Sequence, residues 1–151
     1  MIAISQSIGV LLNKVRDAYI QEQKDKGIRS SGKSAESLKI TIDENSGFLT
    51  GSKYFIQQTV GRKPGKFPPI DDILDWIRAK KISPRDAKTT ERQLAFLFAR
   101  KISQSGTDIF MGKRSGLEMD EIIKKLVKEF MQQFAKDFKA DIVQSFKKAL
   151  A

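Results

Sequence analysis

"LKITIDENSGFLTGS", residues 38–52, is the stretch that decides the fold class. Leu38, Ile40 and Ile42 alternate with Lys39, Thr41 and Asp43, the period of two expected of a half-buried strand. "ENSG" reads as a turn and "FLTGS" as a second strand, so the segment is predicted to be a β-hairpin. A single hairpin is marginal by itself, so either helices cover its apolar face or neighbouring subunits extend it.

On either side the period changes from two to that of a helix. Upstream, residues 2 to about 26 are predicted to form a long helix, in which Ile4, Ile8, Leu11, Leu12, Val15 and Tyr19 recur every three or four positions. Gly27 follows the lysine-rich last turn as a stop signal, and "RSSGKSAESL" offers several N-caps and a single helical turn. Downstream, "KYFIQQTV" admits both periods and is read as a short helix. Residues 70–80 form another, with Asp71 and Asp72 in the first turn and Arg78 and Lys80 in the last, matching the helix dipole at both ends. "ISPRDAKTT" is a loop. "ERQLAFLFARKISQ" has so few polar positions that it predicts a helix buried on most sides. "SGTDIFMGKRSG" is a second glycine-bearing loop. From Glu118 to Leu150 runs a long helix with one apolar stripe, which includes Phe130, Phe134, Phe138 and Phe146 and is expected to form core or subunit interface. The expected architecture is α+β: a small antiparallel sheet packed against several helices, with long N-terminal and C-terminal helices, in one domain spanning 1–151.

Composition narrows the chemistry. The chain of 151 residues has neither cysteine nor histidine, which removes disulfides, thiolate nucleophiles, imidazole bases and the usual zinc ligands. No apolar run is long enough to span a membrane. No basic region precedes the first apolar residues, and Asn13, Lys14, Arg16 and Asp17 interrupt them, which argues against a secretory signal. The net charge of +10 is densest in residues 61–100, where ten cations face five anions. That excess suits an acidic surface or a nucleic acid backbone.

Three motifs invite a chemical reading. "GIRSSGKS", residues 27–34, spells a phosphate loop, but a polar helical segment precedes it and a strand soon follows; such a loop needs a buried strand before it and a helix after it. It is read as a polar linker. Asp71, Asp72 and Asp75 cluster at a helix start, where dipole complementation explains them better than metal or acid–base work. "GRKPGKFPP", residues 61–69, has Phe67 where a phosphate loop needs Ser or Thr, and Pro64 removes a backbone donor. It reads as a rigid cationic connector. The expectation is a protein without catalytic residues, metal or cofactor.

The order of segments resembles the tail-completion, or head–tail joining, proteins of long-tailed bacteriophages. The resemblance rests on Gly61-Arg62, Pro64-Gly65-Lys66 and Pro68-Pro69, then Ile73, Trp76 and Ile77, then Ala99-Arg100-Lys101-Ile102 and Gly106-Thr107. It covers roughly residues 5 to 110, a core of about 1–110, with 117–150 as a C-terminal helical extension. The family often has a glutamate shortly before the Gly-Arg pair, where Gln57, Gln58 and Thr59 stand here. The resemblance implies a non-enzymatic virion protein, made in the bacterial host cytoplasm and built into the phage neck. It implies a homo-oligomeric ring, hexamer or dodecamer, joining portal or adaptor to tail terminator or tail tube, with non-specific contact to packaged DNA and none to membrane. On this reading Arg62, Lys63, Pro64, Gly65, Lys66, Phe67, Pro68 and Pro69 face a neighbouring subunit or the DNA-conducting lumen. Phe130, Phe134, Phe138 and Phe146 form a packing or interface stripe. The alternative is a basic DNA-binding protein that acts alone.

Overall fold

A computed structural model describes residues 4–29 and 31–150. Residues 2 and 3 of the first expected helix, and Ser30 within "GIRSSGKS", lie outside them. The hairpin is present: β1 (Lys39–Ile42) pairs antiparallel with β2 (Gly47–Thr50), with Ile40 opposite Leu49 and Ile42 opposite Gly47. Asp43 and Ser46 close the turn through a backbone bond of 2.8 Å and a side-chain bond of 3.3 Å.

Of the two ways to cover this hairpin, the chain uses a helix. α1 (Ile4–Asp25) lies across the face that carries Ile40, Ile42 and Leu49. The approach is close enough that a Cβ at Gly47 would sit 2.5 Å from Ile8 Cγ2. On its other flank α1 packs against α6 (Met119–Leu150). Val15, Tyr19, Leu117 and Met119 form a buried core there, joined by Leu11, Leu38, Leu49, Phe55 and Ile122. Between these elements run the single turn α2 (Lys33–Glu36) and the short helix α3 (Tyr54–Val60).

A second core lies between α4 (Ile70–Ala79) and α5 (Glu91–Ser105). Ile77 and Ala95 are fully buried at the crossing, and Trp76 meets Phe98 edge to face at 5.6 Å. Thr90 and Gln93 form a reciprocal capping box that starts α5. Arg78–Glu91 and Arg92–Asp71, both 2.9 Å, tie the two helices at the surface, where exposed pairs contribute little. Apolar packing therefore dominates this unit. Ile77→Ala is expected to cost about 3 kcal/mol, read as a lower urea midpoint at unchanged m-value.

One expectation about burial is corrected. α5 buries only Ala95 and Ala99, while Phe96 is 46% and Leu97 52% exposed. α4 covers one side of it, the small alanines let the two helices approach, and its outer side stays open. The α6 stripe, expected to form core or subunit interface, winds off one face of the helix. Residues spaced four apart advance about 40° round a helix at each step, so Phe146 points about 160° away from Phe130. Phe130 and Phe134 are half-buried towards α1, whereas Phe138 is 57% and Phe146 66% exposed.

A compact monomer of 17.0 kDa exposes about 7,700 Å². This chain exposes 10934 Å². Two thin cores, a long projecting helix and an open α5 account for the excess.

Candidate assembly surface

The 61–69 connector has a fixed shape, and two helix ends set it. α3 ends at Gly61 (φ 78°, ψ −178°) and α5 at Gly106 (φ 81°, ψ −175°), a backbone region in effect reserved for glycine. The two ends bond to each other. Thr107 N–H donates to Arg62 O at 3.0 Å, and Arg62 N–H donates to Thr107 Oγ1 at 2.9 Å. Gly65 N–H donates to Ser103 O at 2.8 Å, and the Arg62 guanidinium closes the loop on Lys66 O at 2.7 Å. No side chain would fit at either glycine. A Cβ at Gly61 would lie 2.3 Å from Phe110 N, and one at Gly106 2.7 Å from Arg62 O.

Of the eight connector residues named above, the structure turns one inward. Pro68 is buried, and Phe67 rests on Phe96 with ring centroids 5.5 Å apart. Lys63, Pro64, Gly65 and Lys66 form the exposed tip. Among the described residues no ion pair engages Lys63 or Lys66, so both charges face outward. Phe67, Phe96 and Leu97 continue this tip as an apolar patch along α5.

The other sequence candidates do not converge. Asp71 pairs with Arg92, Asp72 accepts from Tyr54 Oη at 2.8 Å, and Asp75 pairs with Lys33 at 3.3 Å. Three carboxylates thus serve three different partners. The Asp72 bond, aided by partial burial, holds the Tyr54 phenol above its ordinary pKa. Among the described residues no group of His, Cys, Asp or Glu is placed to hold a metal ion. In "GIRSSGKS", Lys33 reaches that same Asp75 and Ser34 turns into the protein, with α1 before the motif and the hairpin after it. No described helix is long and apolar enough to cross a membrane.

One polar cluster escapes a reading by motif. Tyr19 Oη donates to Gln58 Oε1 at 2.5 Å and lies 2.7 Å from Ser34 Oγ, while Gln23 Nε2 donates to Tyr19 Oη at 2.9 Å and to Gln58 Oε1 at 2.7 Å. It joins α1, α2 and α3. Tyr19 and Gln23 share a face of α1 four residues apart, but Ser34 and Gln58 come from distant positions. Gln58 also fixes the next segment, because its carbonyl accepts from Leu117 N–H at 3.0 Å. Burial raises the Tyr19 phenol above its ordinary pKa, against the smaller opposing effects of Ser34 and Gln23. A phenol whose pKa is higher folded than unfolded contributes stability that is complete below the unfolded value, near pH 10, and is lost as pH rises through the folded one. Stability should therefore fall above about pH 10, and Tyr19→Phe should flatten that fall. The same substitution should cost about 1–3 kcal/mol at neutral pH, because it strips partners from Gln23 and Gln58. Urea denaturation at a series of pH values checks both.

Among the described residues the sequence candidates serve separate partners, and no group is placed to hold a metal ion. The arrangement as a whole offers a rigid cationic tip, an apolar patch beside it and a projecting helix. Comparison with protein-family models, with curated proteins and with solved structures gives no match to this chain.

Proposed function

We propose that this chain is a structural subunit of a phage neck: a ring-forming tail-completion or head–tail joining component that links portal or adaptor to tail. The observation that carries this reading is the unburied surface. The chain exposes about 3,200 Å² more than a compact monomer of its mass would, and a standard interface covers about 800 Å² per partner. A subunit with a neighbour on each side has use for such an excess.

The connector supports the same reading. Gly61-Arg62 and Gly106-Thr107, two separate pieces of the resemblance, meet in one hydrogen-bonded junction that presents Lys63 and Lys66. A loop already fixed in shape loses little entropy on docking. In the assembled ring this tip faces a neighbouring subunit or the DNA-conducting lumen, and the protein resides in the virion.

Titration with duplex DNA over a series of salt concentrations separates this reading from that of a basic DNA-binding protein acting alone. The neck reading predicts a chain that assembles into rings and makes at most weak, non-specific contact with DNA. A monomer whose affinity falls steeply with salt, with a log–log slope of about −0.9 for each phosphate neutralised, would establish the other reading instead.

A further inference from the structure

We infer that the C-terminal end of α6 in one copy docks in the groove between α1 and α6 of another copy. The inference rests on the ring reading above and names a contact that builds the ring. Phe138, Ile142 and Phe146 are all exposed and lie within about 80° of helix surface, which makes them one apolar face roughly 12 Å long. The groove, about 490 Å³, is lined by Val10, Lys14, Glu129, Phe130, Phe134 and Asp137. From Glu129 to Asp137 it also runs roughly 12 Å along α6.

Charge favours this groove over the one at the start of α5. The tail, residues 138–150, carries three lysines and one aspartate. The α1–α6 groove offers Glu129 and Asp137 against Lys14. The groove at the start of α5 instead has no carboxylate in its lining, only Lys88 and an Arg92 already paired with Asp71, so it offers the basic tail no attraction. The tail cannot fill its own groove, because both belong to the same unbroken helix, Met119–Leu150. Tail and groove are different surfaces, so each copy both gives and receives, as a head-to-tail ring requires.

The chain has no cysteine, so single cysteines report proximity without background. Val10→Cys and Ile142→Cys variants of different size, mixed and treated with a short bismaleimide, should cross-link to each other. The yield should exceed that of Val10→Cys with Phe48→Cys, on the outer face of the hairpin, by about tenfold or more. Equal yields would overturn the docking. Sedimentation of the wild-type chain is measured in parallel. Ring-sized particles without the preferred cross-link overturn the docking and leave the ring reading intact; a monomer at every concentration overturns both.

Discussion

Gly61→Ala is expected to destabilise the chain by about 3–5 kcal/mol and to lower its melting temperature by about 10 °C or more. Two costs add. Gly61 sits at φ 78° and ψ −178°, where a side chain costs about 1–3 kcal/mol in backbone strain alone. The new methyl would also lie 2.3 Å from Phe110 N and 2.7 Å from Thr107 Oγ1. The nearest of these is backbone, held by the turn after α5, so relief requires parting α3 from the Gly106-Thr107 segment. Gly65→Ala is the control. Gly65 also has a positive φ, 132°, yet a Cβ placed there would meet nothing within 4 Å, so only strain remains. Its cost should stay near the strain alone, about 1–3 kcal/mol. Thermal melts of the two variants decide the matter: equal losses would mean that the junction is not the tight crossing described above.

The second large effect is on assembly and leaves folding alone. Lys63→Glu/Lys66→Glu reverses two exposed charges that no ion pair engages among the described residues, so the melting temperature should move by no more than about 2 °C. Like charges brought together at an interface cost several kcal/mol, so head–tail joining should drop by at least about a hundredfold. Counting joined particles and infectious titre measures this, with circular dichroism confirming that the variant is folded. Normal joining and normal DNA retention in a folded double variant would remove the connector tip from the assembly surface.

How much of this was legible in the sequence depends on the range of the interactions concerned. The hairpin and α4 could be read because alternation and first-turn aspartates act within a few residues; the Thr90–Gln93 box is equally local but went unread. The α5 error arose because apolar content reports what a helix contains, whereas burial depends on which elements flank it; α4 covers one side and the connector only touches another. On α6 the expectation of core or subunit interface stays open, and the period decides how the stripe divides. A strict four-residue repeat looks like a stripe in one dimension but winds round the helix, so its far end leaves the groove of α1. The Tyr19–Gln23–Ser34–Gln58 cluster and the Gly61–Gly106 junction join residues from separate helices and turns, and no local pattern announces such pairs. Both glycines were visible as parts of an ordered series. That they meet was not.

The neck-subunit account is tested most directly by the mass and symmetry of the particle, measured by native mass spectrometry and electron microscopy on the isolated protein and on whole virions. The account predicts a closed ring, hexamer or dodecamer, with a mass that is the matching multiple of 17.0 kDa, sited between head and tail. A chain that stays monomeric, is missing from virions and binds duplex DNA in a salt-dependent way would contradict it.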